Sequence, residues 1–226
     1  STCLFSALLS YDAVWTLGFQ YGQRHAVELE CRKAILDKIR AWPRFSKAFQ
    51  QDIVLALPSF PDLTQNALMH DLPIVCGESG IPSTFVPGRN LIFLSFAAAY
   101  AYEHKADTIV LGVGEADYSG YPDCRAETIS SMEQSLSLGL ATPLRIDCPL
   151  MNRTKAETWE LAYATGGKEL VDYLLFATHT CYRGERKKKY AWGYGCGTCP
   201  SCVLRKNGWE AFLAGRAGQT YKHCDA

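Results

Sequence analysis

Four cysteines near the C-terminus have a spacing that suits a metal ion. Cys196, Cys199 and Cys202 form two overlapping Cys-x-x-Cys pairs, and Cys181 lies one loop upstream. Four thiolates about 2.3 Å from one ion satisfy tetrahedral zinc, and a Cys-x-x-Cys turn lets two sulfurs reach the same ion. Because the four ligands leave no open position for water, the spacing predicts a structural zinc ion. A thioredoxin-like redox pair and an iron–sulfur cluster remain alternatives, although a redox pair does not need four cysteines.

A basic segment, residues 183–189, lies between Cys181 and Cys196. Such charge runs usually form solvated loops, and contact with phosphate or RNA is the alternative. The chain as a whole has 23 basic and 23 acidic residues, so no global field attracts nucleic acid or an anionic membrane. Any polyanion must therefore bind a local patch.

Polar residues follow several apolar runs of the sequence. Gln23, Arg24 and His25 come after a predicted strand, where ligand contact is expected. Arg89 and Asn90 stand at the first turn of a predicted helix, whose backbone N–H groups attract anions. A loop rich in carboxylates, aromatic residues and glycines then contains Gly112, Glu115, Asp117, Tyr121, Asp123 and Arg125. Loops of this composition more often carry function than packing, although helix capping or burial in the core is the ordinary interpretation of each residue taken singly.

Apolar runs that alternate with helical segments predict the elements that position these residues. The predicted strands are 14–19, 52–57, 108–113 and 144–148, and the predicted helices are 2–9, 26–40, 90–104, 125–138 and one that begins at Thr154. Thr154 and Glu157 form a capping box, and residues 58–83 are expected to form a long loop or lid. Continuous apolar strands separated by helices indicate a doubly wound α/β fold with a mainly parallel sheet, which binds ligands at the C-terminal ends of its strands.

The composition sets the class of protein. With 226 residues, 48% of them hydrophobic and 20% charged, the chain has the make-up of one soluble globular domain. No run reaches the roughly 18 apolar residues of a membrane helix, and the N-terminus lacks a secretory signal, so we expect a cytoplasmic protein. Most of the 10 cysteines are expected to be reduced, because a chain of this size builds a core without disulfides.

Several strings of the sequence carry a family resemblance. They are residues 21–25, 85–90, 118–125, 149–151 with 155–157, and the cysteine cluster from Cys181 to Cys202. Over nearly the whole chain they resemble the 7-cyano-7-deazaguanine synthase family of PP-loop ATP pyrophosphatases. The resemblance implies the PP-loop variant of the α/β fold and one zinc ion held by four cysteines. It also implies that ATP, with Mg²⁺, activates 7-carboxy-7-deazaguanine, which ammonia converts through an amide to the nitrile preQ0, a precursor of queuosine in tRNA.

The same resemblance implies roles for single residues. Arg89 would contact phosphate or the substrate carboxylate, Asp123 would help to hold Mg²⁺ or the polar edge of the base, and Lys155 would meet charge that develops in the adenylate. These three are the catalytic candidates. Candidates for contact with ATP or the substrate are Ser1, Thr2, Cys3, Leu4, Gln23, Arg24, His25, Asn90, Gly112, Glu115, Asp117, Tyr121 and Arg125.

The family's nucleotide signature, Ser-Gly-Gly-x-Asp-Ser, does not occur in these residues. Its glycine amides cradle phosphate, and we expect it, with its strand, upstream of Ser1; a truncated, inactive chain is the alternative. We expect residues 1–175 to form the PP-loop domain and residues 176–226 to form a zinc-binding lobe packed on it. The resemblance further predicts a homodimer that contacts neither nucleic acid nor membrane directly.

Other function classes remain open at this point. A PP-loop tRNA thiolase or lysidine-type ligase would use the basic segment and the zinc lobe to bind RNA, although the neutral net charge argues against it. A non-catalytic zinc-ribbon module does not need so extensive an α/β core. A relative that uses the scaffold for other deazapurine chemistry also fits the sequence.

Overall fold

The computed structural model describes residues 1–23, 27–75, 81–115 and 121–215. Within these ranges the helices are α1 (Thr2–Ser10), α2 (Val27–Ala41), α3 (Pro43–Ser46), α4 (Phe60–Leu63), α5 (Arg89–Glu103), α6 (Ala126–Leu140), α7 (Lys155–Ala177) and α8 (Pro200–Gly215). The strands are β1 (Val14–Gln20), β2 (Phe49–Ala56), β3 (Thr108–Val110), β4 (Arg145–Asp147), β5 (Lys189–Tyr190) and β6 (Gly193–Tyr194). A 3₁₀ turn at Pro122–Cys124 precedes α6.

The strands of the main body pair in parallel. β1 pairs with β2, and β3 pairs with β4. Parallel neighbours need a crossover connection, which α2 provides for the first pair and α6 for the second. This arrangement confirms the predicted α/β class with parallel strands. The described strands form two separate parallel pairs, and the short β5–β6 pair is antiparallel.

The strand ends differ from the prediction by a few residues. β2 begins at Phe49 rather than Asp52. The prediction started the strand too late because Gln50 and Gln51 are exposed and polar, so they do not belong to the apolar run. β3 ends at Val110 rather than Val113, although the Leu111 backbone N–H still donates to the Asp147 carbonyl at 2.8 Å. Apolar runs show where a strand is buried, and hydrogen bonding decides where it ends.

The largest apolar core joins the N-terminal helix to the C-terminal region. Phe5 of α1, Ile39 of α2, Leu170 of α7 and Trp209 of α8 belong to one buried cluster. Helices α7 and α8 approach each other closely, because a Cβ atom added to Gly208 would lie 2.3 Å from the Lys155 Cβ. The boundary predicted at residue 175 falls inside α7, so the division into two units remains a prediction.

A smaller core covers the end of β1. Tyr21, Phe60, Leu68 and Val86 form a buried cluster against which Phe93 of α5 packs. Phe60 and Leu68 belong to the segment predicted as a long loop, residues 58–83. The described part of this segment contains the short helix α4 and is otherwise irregular. That segment therefore packs over the polar residues that follow β1.

Two helix starts agree with the sequence. The Thr154 hydroxyl accepts from the Glu157 backbone N–H at 3.2 Å, and the Glu157 carboxylate accepts from the Thr154 backbone N–H at 2.7 Å, which confirms the capping box. α5 begins at Arg89, after Gly88 in the left-handed region (φ 70°). None of the helices in the described ranges has the length and apolar composition needed to cross a membrane.

Candidate metal centre and binding cavity

The four predicted ligand cysteines converge on one point. Their sulfur atoms all lie within 4.8 Å of one another. Cys196 Sγ is 3.9 Å from Cys202 Sγ, and Cys199 Sγ is 4.0 Å from Cys181 Sγ. Four sulfurs at about 2.3 Å from a central ion would be about 3.8 Å apart, whereas a disulfide needs roughly 2 Å. The cluster can therefore hold one tetrahedral metal ion, and the sulfurs are not paired as disulfides.

The backbone around the cluster is shaped for thiolates. Cys196 Sγ accepts from the backbone N–H groups of Thr198 (3.5 Å) and Cys199 (3.3 Å), and Cys181 Sγ accepts from the Cys196 N–H at 3.4 Å. Hydrogen bonds from neighbouring groups, the Cys199 thiol first, lower the pKa of Cys181. A Cβ atom on Gly195 would lie 2.5 Å from Cys202 Sγ, so only glycine lets the chain pass this close to the sulfurs.

A buried arginine lies one helical turn beyond the cluster. Arg205 is 6% exposed, and its guanidinium donates to the carbonyl oxygens of Leu175 (2.8 Å) and Trp192 (2.9 Å). Burial lowers its pKa to about 10, which still leaves it charged at neutral pH. Four thiolates with one divalent ion would carry net negative charge, which Arg205 would partly offset.

A cavity of about 440 Å³ opens beside the end of β1. Its wall is contributed by several separate segments of the chain. The residues that line it are Leu17, Gly18, Phe19, Tyr21, Gln23, Glu28, Leu29, Arg32, Leu68, Arg89, Asn90, Phe93, Tyr121 and Tyr182. Phe19 and Phe93 are stacked with ring centroids 3.9 Å apart and planes 2° from parallel. Flat aromatic walls with a few polar groups are typical of a site for a planar heterocycle.

Two arginines, Arg89 and Arg32, line this cavity, and Arg32 is paired with Asp52. The Arg89 Nη1 donates to the Tyr21 hydroxyl at 3.2 Å, while the buried Nε of Arg89 has no hydrogen-bond partner among the described residues. Burial acts to lower the pKa of Arg89, but Tyr21 and Asp123 outweigh it and raise that pKa, so the side chain is charged. A buried guanidinium with an unused donor is suited to binding an anion.

A hydrogen bond joins the Asp123 side chain to the backbone of Asn90. An Asp123 carboxylate oxygen accepts from the Asn90 backbone N–H at 3.1 Å, so this aspartate caps α5 rather than its own helix. The Asn90 amide donates to Cys124 Sγ at 3.2 Å. Burial, with the charge of Asp123, raises the pKa of Cys124 to about 12. Asp123 therefore holds the first turn of α5, and with it Arg89, in place.

A row of hydroxyl groups forms another part of the wall. The Tyr121 hydroxyl is 2.6 Å from Thr84 Oγ1 and 3.4 Å from the Tyr182 hydroxyl. Burial raises the pKa of Tyr182, which keeps this hydroxyl protonated. The predicted candidate Tyr121 thus lies in the cavity, next to a tyrosine that sequence reasoning did not select.

Other predicted contacts have partners within the protein. The Gln23 amide oxygen accepts from the Tyr21 N–H at 2.8 Å and its Nε2 donates to the Phe19 carbonyl at 3.1 Å, so it braces the turn after β1. The Glu115 carboxylate accepts from the Ala126 N–H at 2.6 Å and caps α6. Arg125, the residue before α6, is exposed. Arg24, His25 and Asp117 lie outside the described residues.

The predicted nucleotide contacts at the start of the chain form a second group, apart from the lining of the cavity. A Cβ atom on Gly112 would lie 3.5 Å from Cys3 Sγ, which places the end of β3 beside the first turn of α1. Ser1 precedes α1, Thr2 and Cys3 are buried in its first turn, and Leu4 packs against the largest core. The charge of Lys155 acts on the Cys3 thiol.

Several cavity residues were missed by sequence reasoning. Tyr21 is two residues before the candidate Gln23 in the sequence, and Tyr182 directly follows the predicted ligand Cys181. Glu28 and Arg32 of α2 resemble ordinary helix surface in the sequence, and Phe93 of α5 resembles an ordinary core residue of an apolar helix, until the fold brings them to β1.

The basic segment is partly used in folding. Arg186 donates to the carbonyl oxygens of Phe176 (2.8 Å) and Thr178 (3.5 Å) at the end of α7, and its guanidinium lies 4.8 Å from the centre of the Tyr194 ring. Lys189 lies 4.5 Å from the centre of the Phe176 ring. These contacts show that Arg186 and Lys189 take part in packing against the end of α7 and the β5–β6 pair.

Comparison with known proteins gives one family. The family model described as queuosine biosynthesis protein QueC matches residues 1–213. The 7-cyano-7-deazaguanine synthase of Parvibaculum lavamentivorans is 49% identical over 217 residues, which cover 96% of this chain and 92% of the relative. The synthase of Bordetella pertussis is 50% identical over 218 residues (96% and 89%). The synthase of Nitratidesulfovibrio vulgaris is 47% identical over 218 residues (96% and 90%).

Proposed function

The chain belongs to the QueC family of queuosine biosynthesis proteins, and we propose that it converts 7-carboxy-7-deazaguanine and ammonia to 7-cyano-7-deazaguanine at the expense of ATP. The sequence resemblance is thereby confirmed at the level of the family. The observation that carries the proposal beyond the family is the cavity, where the unpartnered Nε of Arg89 lies among aromatic side chains. A planar base with a carboxylate needs both features.

The chemistry requires activation because a carboxylate is a poor electrophile. The substrate carboxylate oxygen attacks the α-phosphorus of ATP, and pyrophosphate leaves to give an acyl adenylate. Ammonia adds to the acyl carbon, a proton is lost and AMP departs, which leaves the amide. A second ATP adenylates the amide oxygen, and loss of AMP and the remaining amide protons gives the nitrile. Cations near the phosphates and the carboxylate stabilise the charge that develops in each step.

The cavity residues have separate proposed roles. Arg89 binds the substrate carboxylate with its free donor, and Tyr121 bonds the polar edge of the base. Asp123 acts by keeping the start of α5 in place, which its bond to the Asn90 N–H supports. Gln23 shapes the turn through its two backbone bonds.

The second group of residues is proposed to meet ATP. Ser1, Thr2, Cys3, Leu4 and Gly112 lie on or beside the first turn of α1, whose N–H groups favour phosphate. Lys155, at the start of α7, supplies a positive charge nearby. Mg²⁺ would screen the phosphate charge, and Glu115, Arg24, His25, Asp117 and Arg125 remain proposals for contact with the nucleotide or base.

The four-cysteine centre is proposed to hold zinc as a structural ion. Cys181, Cys196, Cys199 and Cys202 offer soft thiolate ligands in a tetrahedral arrangement, which suits zinc better than Mg²⁺ or Ca²⁺. All four positions are filled by protein, so the ion would act on stability rather than on the substrate. Homodimer assembly and a cytoplasmic location are further proposals, which light scattering and cell fractionation test.

One assay tests the proposed reaction. Full-length protein is incubated with ATP, Mg²⁺, ammonium and 7-carboxy-7-deazaguanine, and products are identified by mass spectrometry. We expect the nitrile, with AMP and pyrophosphate formed in both activation steps, and no nitrile when ammonium is omitted. Absence of nitrile from folded, metal-loaded protein would overturn the proposed function, and accumulation of the amide alone would overturn its second step.

A further inference from the structure

Tyr182 belongs both to the metal lobe and to the cavity. It directly follows the ligand Cys181, and its backbone lies close to the sulfur of Cys199. Its ring packs against the largest core, which contains the cysteine cluster, and also against the smaller core at the end of β1. A single residue therefore touches the two sites.

The side chain of Tyr182 faces the cavity. It is one of the lining residues, and its hydroxyl lies 3.4 Å from that of Tyr121. The distance is long for a hydrogen bond between hydroxyl groups, so the Tyr182 hydroxyl can turn toward a ligand without losing a strong bond. Tyr121 keeps its shorter bond of 2.6 Å to Thr84.

We infer that Tyr182 is a substrate-positioning residue, and that through it the metal centre sets one wall of the base-binding cavity. The inference rests on the proposed function for the identity of the base. Ligation of Cys181 would fix the backbone beside Tyr182, whose ring packs against the core that contains the cysteine cluster. The hydroxyl and ring then orient a purine-like base whose carboxylate meets Arg89, without taking part in bond making.

Kinetics of two variants separate the hydroxyl from the ring. Tyr182→Phe should raise the KM for 7-carboxy-7-deazaguanine about fivefold to tenfold and leave kcat within about twofold, as expected for one lost hydrogen bond. Tyr182→Ala should raise KM about 50-fold or more, because the ring contact is lost as well. Both variants should keep the zinc content of the parent protein, since no ligand is removed.

Tyr190→Phe is the matched control. Tyr190 also lies in the metal lobe, stacked on Trp192 with ring centroids 4.6 Å apart, but it is not among the residues that line the cavity. Its KM should equal that of the parent. An unchanged KM in both Tyr182 variants would overturn the inference, and so would an equal rise in Tyr190→Phe.

A spectroscopic measurement tests the coupling without turnover. The protein is prepared with ¹¹³Cd²⁺ in the cysteine centre, and its resonance is recorded while 7-carboxy-7-deazaguanine is added without ATP. We expect the resonance to shift on binding in the parent and to stay in place in Tyr182→Ala at saturating ligand. A resonance that never moves, or moves equally in the variant, would refute the coupling. If 7-carboxy-7-deazaguanine does not bind the parent protein at all, the proposed function fails too. If the parent binds and converts it, and the Tyr182 variants behave like the parent, only this inference is rejected.

Discussion

The metal centre and the cavity are built in opposite ways. The four-cysteine cluster takes three of its sulfurs from a Cys-x-x-Cys-x-x-Cys string and the fourth from Cys181 one loop upstream, so mostly local backbone geometry brings the sulfurs together. The cavity takes its wall from β1, α2, α5 and isolated residues such as Leu68, Tyr121 and Tyr182. A site whose residues are close in sequence can be recognised from a short motif. A site whose residues come together only through the fold cannot be recognised in this way.

The largest expected effect concerns the metal centre. Cys199→Ser should lose the bound ion and soluble expression together, because metal affinity and folding are linked in such centres. Metal content by elemental analysis and secondary structure by circular dichroism measure the two losses. Cys148→Ser is the matched control, since Cys148 lies outside the cluster, and it should keep its metal. Normal metal-free folding of Cys199→Ser would disprove the structural role.

The next effect tests the cavity alone. Arg89→Met should lower kcat/KM about 100-fold, equivalent to about 2.7 kcal/mol, because the substrate carboxylate loses its charged partner. Its melting temperature should fall only slightly, because the substitution removes one hydrogen bond to the Tyr21 hydroxyl and the charge interaction with Asp123 but leaves the apolar cores intact. Arg40→Met is the control, because Arg40 is exposed, forms an ion pair with Asp37 at 2.9 Å and does not line the cavity. Parent-like kinetics in Arg89→Met would show that this arginine does not bind the substrate.

A third effect tests the packing between α7 and α8 that supports the metal lobe. Gly208→Ala would bring its Cβ to 2.3 Å from the Lys155 Cβ, so we expect a loss of about 2 kcal/mol in the free energy of unfolding. Gly139→Ala, in α6, meets nothing within 4 Å and should raise that free energy by up to about 1 kcal/mol. Denaturant titration measures both, and equal values would contradict the close approach.

The smallest effect concerns the start of α7. Thr154→Ala should cost about 1 kcal/mol of unfolding free energy, because the cap of the Glu157 N–H is lost. Bonds from the Thr154 N–H and hydroxyl lower the pKa of Glu157 from 4.5 in the folded protein. The stability gained from the ionised carboxylate is therefore present above pH 4.5 and is lost as the pH falls through the lowered pKa. The difference in unfolding free energy between the parent and a Glu157→Gln variant should shrink as the pH falls through that acid range. A difference that stays constant with pH would contradict the role of the Glu157 carboxylate.

Sequence and structure agree most where the signal is local. The cysteine cluster, the capping box of α7 and the place of Arg89 in the first turn of α5 depend on neighbouring residues and are found as predicted, although α5 begins one residue earlier than Asn90. Gln23 and Glu115 were correctly located after strands, but the sequence does not reveal that their side chains bond to their own backbone surroundings. Phe93 and Arg32 reach the cavity only because helices α5 and α2 pack beside β1, a long-range fact that no short string contains.

The position of the substrate tests the account most directly. A crystal structure of the full-length protein with 7-carboxy-7-deazaguanine should show the base beside Tyr121 and Tyr182, with its carboxylate within hydrogen-bond distance of Arg89. A base bound elsewhere, such as beside the first turn of α1, with the Arg89 cavity empty, would contradict it.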